Sequence, residues 1–447
     1  MIYYDVSDLL TYFQNHSRVV GVPRVSTVTL DRFNQLGGSD KYKLIAYHPK
    51  LKKIVTTDAA FFGREPFSAE RFCAFFGVPH RKVSELDTYL LRNYDVKYKR
   101  IFHKLRLKIK SFSFKSAFRS KSIAKNIGKA IWVAPVFRPG DIVYLPGLTP
   151  TKSAYLERLK RAKAETGVKI VQLIHDLIPV FAAQYVPHDA PPRFENFLLH
   201  TNATADVVLT VSEDAKQDYL RFLKTRDLPP NKVQAVPLAH EFLVEQTPAR
   251  NTQSVSDYRS VDVKVLHAAR LPYVLCVGTR EIRKNNWGLA QVWQSLQQKH
   301  GYKLPRLVFA GSKGWQNEEF ERLLLRTNNL DDYIALVDGP SDAELAYLFQ
   351  NCLFSVFPSF YEGWGLPIGE SAWFGRPVIA SNTSSMPEVA GDFVDYIDPF
   401  RLETLEAAIE KMLAEDYRDK RAAGIKSMPM RSWSQYADEI WRILNSI

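Results

Sequence analysis

The second half of this 447-residue chain alternates between short apolar runs and helix-like stretches, and this alternation limits the possible folds more than any other feature. The apolar runs are Tyr273–Val277, Arg306–Ala310, Tyr333–Val337, Leu353–Phe357, Val378–Ala380 and Val394–Ile397. Parallel strands need long crossovers, usually helices, and the alternation therefore requires a parallel sheet with helices on both faces. The sequence predicts an α/β domain in this half of the chain.

The most informative loop follows the run Leu353–Phe357. It contains two glycines, and Pro367 indicates the first turn of a helix that we expect to stop at Gly375. The amino end of such a helix offers unpaired N–H groups to an anion. Glu362 lies in the loop and Glu370 in the early helix, so two carboxylates flank this anion site. A nucleotide sugar, with its phosphates and hydroxyls, fits the arrangement; an ordinary βαβ turn with exposed acids is the alternative.

The stretch from Phe357 to Gly391 resembles the retaining GT-B glycosyltransferases of the GT4 type (the glycosyltransferase group 1 family), which carry a Glu-x7-Glu motif in this setting. The resemblance implies that Glu362 contacts hydroxyls of the donor sugar and that Glu370 contacts those of the ribose. It also implies that backbone amides lie against the sugar and diphosphate, those of Gly363, Trp364, Gly365 and Leu366. The implied fold is GT-B, an α/β fold with two Rossmann-like domains facing each other across a cleft.

The turn that begins at Gly278 carries the next candidate residues. In the resembled family this turn faces the donor, and a basic pair in it grips the diphosphate. Lys284 matches the family lysine, whereas the arginine that commonly follows the glycine is replaced by Thr279. Arg283 or Arg280 would then supply the second charge. The alternative is a solvated turn that happens to contain three basic residues.

Two further glycine turns and one histidine complete the candidate donor site. Gly311 resembles the family turn beside the nucleotide, and Gly339 lies in a loop that resembles the one meeting the base. His175 follows an apolar strand, at the carboxyl end where α/β proteins bind ligands. The resemblance implies that His175 reaches the donor sugar, while a capping or loop histidine is the alternative. We expect the adjacent Asp176 to orient the loop.

The first half of the chain is less clearly patterned. Gly21 and Arg24 follow the first strand, where the family carries a glycine loop that faces the donor. The usual double glycine is absent, so a plain turn with a solvated arginine is an equal alternative. Lys43–His48 and Lys53–Thr57 are predicted strands, and Ser212 is a predicted helix N-cap.

The chain is too long for one hydrophobic core, and we expect two domains joined by a polar linker near 245–264. Residues 1–250 would form an N-terminal acceptor-binding Rossmann-like domain, and 265–425 a C-terminal Rossmann-like domain that binds the nucleotide sugar. A final helix has one apolar face, formed by Trp433, Tyr436, Ile440, Trp441 and Leu444. The resemblance implies that residues 426–447 cross back to the N-terminal domain.

The net charge of +12 comes from one segment, because residues 97–129 contain twelve Lys or Arg and no acid while the rest of the chain is balanced. Apolar residues recur there at helical spacing. A basic amphipathic helix is typical of an anionic membrane surface, and a core-facing helix with a charged outer face is the alternative. Base-stacking motifs are missing, so we expect no nucleic-acid partner.

The remaining features indicate a cytoplasmic protein. Cys73, Cys276 and Cys352 are scattered without disulfide or metal spacing, and Met1 leads into a strand-like run rather than a signal peptide. No apolar run reaches transmembrane length, so any membrane association would be peripheral, on the inner face of the plasma membrane. No Asp-x-Asp occurs, and we expect neither a metal nor another cofactor.

The resulting prediction is a retaining glycosyltransferase. It would move a hexosyl group from a nucleotide-diphosphate sugar to a glycan or lipid-linked glycan acceptor, in the synthesis of a bacterial surface polysaccharide such as lipopolysaccharide. His175, Glu362, Lys284 and Arg283 would be the catalytic residues. The alternatives are a GT-B nucleotide-sugar epimerase and a non-catalytic nucleotide-sugar-binding protein associated with a membrane.

Overall fold

The computed structural model describes residues 1–13, 16, 19, 21–48, 53–58, 69–76, 133–147, 153–243 and 261–447. The basic segment 97–129 and most of the predicted linker lie outside these ranges. The chain divides into two compact units. The first unit comprises Met1–Leu173, Ala203–Val207 and Ile440–Ile447, and the second comprises Ile174–Asn202 and Val208–Glu439. Residues 208–243 thus group with the second unit; the predicted domain boundary at 250–265 stays a prediction.

The strands within the described ranges are β1 (Ile2–Asp5), β2 (Tyr42–His48), β3 (Lys53–Asp58), β4 (Ile142–Leu145), β5 (Lys169–Ile174), β6 (Val207–Thr210), β7 (Lys232–Ala235), β8 (Tyr273–Val277), β9 (Arg306–Ala310), β10 (Ile334–Val337), β11 (Ser355–Phe357), β12 (Val378–Ser381) and β13 (Asp395–Ile397). The helices are α1 (Ser7–Tyr12), α2 (Val22–Lys41), α3 (Ala69–Phe75), α4 (Ser153–Thr166), α5 (Ile178–Phe181), α6 (Ala190–Thr204), α7 (Glu213–Lys224), α8 (Val263–Ala268), α9 (Asn286–His300), α10 (Glu318–Arg326), α11 (Asn328–Asp331), α12 (Asp342–Asn351), α13 (Leu366–Trp373), α14 (Met386–Ala390), α15 (Leu402–Leu413), α16 (Glu415–Ile425) and α17 (Trp433–Ser446). Each strand predicted in the second half is present.

The first sheet has the order β3-β2-β1-β4-β5-β6-β7. Strand β1 pairs in parallel with β2 and β4, with Ile2 opposite both Tyr42 and Ile142. The pairing of β2 with β3 is antiparallel, and both strands occur where the sequence predicts them. Buried side chains of this first sheet form a hydrophobic core in the first unit, among them Tyr3, Ile45 and Val143.

The second sheet has the order β10-β9-β8-β11-β12-β13, and its strands run in parallel. Alternate residues of a strand point to opposite faces of a sheet. Accordingly Val274 and Cys276 of β8 enter one buried cluster, whereas Tyr273 and Leu275 enter another. Both faces are therefore covered, as the sequence predicts for a parallel sheet.

The final helix, α17, has the predicted apolar face. Trp433, Tyr436, Ile440 and Leu444 are buried. Residues from Ile440 onward belong to the first unit, in which Trp441 packs edge to face against Phe33 with ring centroids 4.8 Å apart. Across the described part of the chain, no helix is both long and apolar enough to cross a membrane.

Candidate active site

The two turns that carry the predicted charges lie at the carboxyl ends of neighbouring central strands. Strand β8 leads into the turn that begins at Gly278, and β11 leads into the loop that contains Glu362. These strands pair in parallel, and the strand order reverses between them. Open α/β sheets bind ligands in the crevice at such a switch point. The candidate site therefore stands where the fold favours a ligand.

Arg280 fastens the glycine turns to one another. Its guanidinium donates to the carbonyl of Gly311 and to Asp338 Oδ1, the latter at 2.5 Å, and its side chain is 4% exposed. The turns also touch directly, because a Cβ atom on Gly311 would lie 2.0 Å from the carbonyl oxygen of Gly278. Arg280 thus joins the Gly278, Gly311 and Asp338–Gly339 turns through its own guanidinium.

Arg283 and Lys284 instead converge on Glu362. Arg283 Nη1 lies 2.7 Å from Glu362 Oε2, and Lys284 Nζ lies 2.6 Å from Glu362 Oε1. A short 3-10 turn, Ile282–Lys284, ends at Asn285 in the left-handed region with φ +53°, which asparagine tolerates. This turn brings both cations to one carboxylate. Of the two arginines that the sequence left open, Arg283 is the one that contacts the same carboxylate as Lys284, and its role at the diphosphate stays a prediction.

The charge network keeps Glu362 ionised. Burial disfavours its charged form, but the Arg283 guanidinium and the Lys284 ammonium outweigh that effect and lower the pKa of the carboxyl to about 2. The pKa of Arg283 is raised, because Glu362 and Glu281 outweigh the effect of its burial. At neutral pH the basic pair is therefore already paired with an internal carboxylate.

Two serines fix the backbone of the glutamate loop. The amide of Glu362 donates to Ser384 Oγ at 2.9 Å, and Ser385 Oγ donates to the carbonyls of Glu362 and Trp364 at 2.9 and 3.1 Å. Both serines follow strand β12, so the loop is held by the next strand end of the same sheet. The two serines thus hold the backbone that carries Glu362, while Arg283 and Lys284 hold its carboxylate.

His175 and Asp176 lie against the same loop. A Cβ atom on Gly363 would fall 2.2 Å from the His175 carbonyl oxygen and 2.8 Å from Asp176 Cβ. Asp176 Oδ1 accepts from the amide of Ile178 at 3.1 Å, which agrees with a loop-orienting side chain. Burial raises the pKa of Asp176, and nearby Arg283 offsets this in part. The structure therefore brings the predicted histidine segment beside the glutamate loop.

Helix α13 begins as the sequence predicts. Gly365 is its N-cap with φ +111°, and Pro367 lies in its first turn. Trp364 and Glu370 are buried. The Trp364 ring lies near His240, whose Nε2 donates to the Val389 carbonyl and whose Nδ1 accepts from the Arg431 amide.

Gly21 belongs to the first unit, where it precedes helix α2 with φ +62°. The donor role predicted for it stays a prediction, as do the roles predicted for the other site residues.

Sequence reasoning missed several residues that touch the site. Ser212 Oγ donates to the Gly363 carbonyl at 2.9 Å while also capping helix α7, and only the capping role was predicted. The Tyr361 hydroxyl donates to Asp218. Glu281 contacts Arg283. A polar residue at a strand end was the available signal for Ser212, and Glu281 is only two residues from Arg283 in the same turn. The contact between Tyr361 and Asp218 depends on the fold.

Within the described ranges, no group of three or more His, Cys, Asp or Glu side chains could hold a metal ion.

Comparison with known proteins identifies the family. The model of the family "Glycosyl transferases group 1" matches residues 259–427. The O-antigen chain mannosyltransferase B of Escherichia coli is 30% identical over 268 residues, which cover 59% of this chain and 67% of that protein. The serotype-specific mannosyltransferase WbdA of Escherichia coli is 26% identical over 279 residues, covering 60% of this chain and 32% of WbdA. The chain thus spans about a third of the length of WbdA.

Solved structures show the same fold at low sequence identity. Sucrose-phosphate synthase (tll1590) from Thermosynechococcus elongatus aligns with a TM-score of 0.57 and 15% identity, over 100% of this chain and 98% of that one. Anabaena Alr3699/HepE, solved in complex with UDP and glucose, aligns with a TM-score of 0.58 and 11% identity, over 100% and 99%. The chain therefore has the GT-B fold, belongs to the glycosyl transferases group 1 family and is a glycosyltransferase.

Proposed function

We propose that the protein transfers a mannosyl group from a nucleotide-diphosphate mannose to a glycan or lipid-linked glycan acceptor during synthesis of a bacterial surface polysaccharide. The sugar and the pathway rest on the relatives, which are named as O-antigen chain and serotype-specific mannosyltransferases. We also propose retention of the anomeric configuration, which rests on the resemblance to the GT4 type.

One observation supports the chemistry most directly: Lys284 and Arg283 meet one carboxylate at the switch point of the sheet. In the proposed reaction the bond from C1 to the diphosphate breaks and a bond from C1 to the acceptor hydroxyl forms. The hydroxyl proton passes to an oxygen of the departing diphosphate. Lys284 and Arg283 would stabilise the charge that develops there, together with the amino end of helix α13.

Glu362 would then exchange partners. Once the diphosphate engages Lys284 and Arg283, the carboxylate can accept hydrogen bonds from hydroxyls of the donor sugar. Its negative charge also lies near an oxocarbenium-like centre, which it stabilises without forming a covalent bond. We propose that no divalent metal is needed, because the two cations and the helix end supply the neutralising charge.

The test is a transfer assay on the full chain, stripped of metal and assayed with and without excess EDTA. GDP-mannose, UDP-glucose, UDP-galactose and UDP-N-acetylglucosamine serve as donors, and synthetic α-mannosides as acceptors. We expect mass spectrometry to detect addition of one hexose from GDP-mannose in both conditions. The one-bond carbon–proton coupling at the new anomeric centre reports its configuration, and we expect this to be the same as in the donor.

Three outcomes would contradict the proposal. Interconversion of donors without transfer would favour an epimerase. Donor binding with neither transfer nor hydrolysis would favour a non-catalytic protein. Activity that disappears with EDTA and returns with manganese or magnesium would refute the metal-free mechanism.

A further inference from the structure

We propose that Glu281 is a positioning residue: it holds Nη2 of Arg283 while the donor diphosphate replaces Glu362 at Nη1. The inference rests on the proposed function, since the diphosphate is the ligand that Arg283 would receive. Glu281 lies in the turn between Gly278 and Lys284, and neither the sequence nor the chemistry described above gives it a role.

The contacts divide the guanidinium into two sides. Arg283 Nη2 donates to Glu281 Oε1 at 2.6 Å. Nη1 donates to the Tyr361 carbonyl at 2.6 Å and lies 2.7 Å from Glu362 Oε2. The Glu281 side chain is 2% exposed, whereas Glu362 is 10% exposed and belongs to the glycine loop. Glu281 is thus the more deeply buried of the two partners, and a ligand that competes for the guanidinium would replace Glu362 at Nη1 more readily than Glu281 at Nη2.

Local structure fixes Glu281 in this place. Its amide donates to the Thr279 carbonyl at 2.9 Å, and its carbonyl accepts from the Lys284 amide at 3.0 Å. Gly314 leaves room for this turn, because a Cβ atom there would lie 2.8 Å from Thr279 Cγ2 and 2.9 Å from both the Arg280 carbonyl oxygen and Glu281 Cβ. Two neighbouring turns thus cooperate to place one buried carboxylate.

Charge alone would argue against an acid in this place. A buried carboxylate beside an anion site repels the diphosphate, and its own burial is unfavourable. Two carboxylates already balance two cations before any donor arrives. The benefit of Glu281 must then lie in orientation, since an arginine held by one nitrogen presents the other at a fixed angle.

Substitution at position 281 separates orientation from charge. Glutamine keeps an oxygen that accepts from Nη2 and removes the charge, so Glu281→Gln should keep kcat within about threefold of the parent and lower the donor KM. Alanine removes the acceptor, and Glu281→Ala should lower kcat by about 20-fold, part of the loss found when a transition-state donor is removed entirely. Glu319→Ala, which removes an exposed glutamate paired with Arg322, is the matched control.

A double-mutant cycle with Arg283→Lys tests whether Glu281 acts through Arg283. Lysine has no second nitrogen to be held, so Glu281→Ala should cost less than about threefold in kcat in that background. Gly314→Ala is a coarser perturbation of the same turn, because its methyl group would meet Thr279 Cγ2 and the Arg280 carbonyl oxygen as well as Glu281 Cβ, and it should lower kcat at least as much as Glu281→Ala does. Melting temperatures of all variants report whether the fold is intact.

Equal losses from Glu281→Ala in both backgrounds, in proportion to lowered melting temperature, would overturn the proposal and leave Glu281 a structural residue. The same cycle is measured on Kd for GDP and for UDP by calorimetry, where we expect the effects at 281 and 283 to depart from multiplicative behaviour by at least about fivefold. If the parent transfers no sugar, the proposed function fails, while this binding cycle still supports or overturns the positioning role.

Discussion

Replacing Glu362 by glutamine should strengthen binding of a bare nucleoside diphosphate while it weakens sugar transfer. The substitution keeps the size of the side chain and removes the charge that Arg283 and Lys284 now neutralise. Both cations are then available to phosphate oxygens without first leaving an internal partner. The resemblance alone would predict little effect on nucleotide binding, because it places Glu362 at the sugar.

The magnitude follows from the pKa of Glu362, which the basic pair lowers from 4.5 to about 2. A difference of about 2.5 units corresponds to roughly 3 kcal/mol in favour of the ionised side chain. Complete loss of this interaction on binding would cost the diphosphate about two orders of magnitude in affinity. Arg283 also retains Glu281, so release is partial, and we expect Glu362→Gln to tighten nucleotide binding by about tenfold.

Calorimetry with GDP and with UDP at fixed pH and ionic strength measures this change, and transfer from GDP-mannose is measured on the same preparations. We expect tighter binding of the nucleotide that the parent prefers, and a fall in kcat of at least about tenfold. Glu319→Gln is the control for loss of a negative charge elsewhere on the same unit. Unchanged or weaker binding of both nucleotides would refute the idea that the diphosphate takes over the partners of Glu362.

Three further predictions concern nucleotide binding, stability and the membrane. Glu370→Ala should weaken binding of GDP or UDP by about 1.5–3 kcal/mol, the value of a charge-assisted hydrogen bond, and unchanged calorimetry would remove the ribose assignment. Burial raises the pKa of Asp214 from 3.8 to about 6, and the nearby carboxylates of Asp218 and Glu388 add to this effect. The protonated side chain therefore stabilises the fold below pH 3.8, and this stabilisation is lost as the pH rises through 6. Asp214→Asn should therefore raise the free energy of unfolding at pH 8 by about 1 kcal/mol, and much less at pH 4, which urea titrations at the two pH values can check. Because of segment 97–129, we expect the protein to sediment with anionic vesicles at low salt and to remain in the supernatant at high salt, since each Lys or Arg near such a surface contributes about 1 kcal/mol. Protein left in the supernatant at low salt would favour the core-helix alternative.

Local patterns were sufficient to predict most of the second sheet. Apolar runs bounded by glycine or proline mark strands because they fit a fully buried position between turns. Strands β8 and β9 match the prediction residue for residue, and β11 begins two residues later than expected. The Ser212 cap was equally readable, since its bond to the Ala215 amide is local.

The partners within the site could not be predicted in the same way. Arg280 and Arg283 are three residues apart in one turn, and composition does not decide which of them contacts Glu362 together with Lys284. Distant groups determine this, because the Arg280 guanidinium donates hydrogen bonds to the Gly311 carbonyl and to Asp338, which lie 31 and 58 residues away in the sequence. The bond from Tyr361 to Asp218 joins residues 143 apart. Such contacts depend on the complete fold, and they leave no periodic signal in the sequence.

The close packing of Gly363 against the His175 carbonyl has a consequence for engineering this enzyme. In a saturation library, position 363 would tolerate almost no replacement, although it has no functional group. Even alanine would bring a carbon atom to 2.2 Å from that oxygen, so the loop that carries Glu362 would have to shift. Directed evolution toward another donor is therefore better started at neighbouring side chains, because inactivation at position 363 would report a backbone collision and carry no information on specificity.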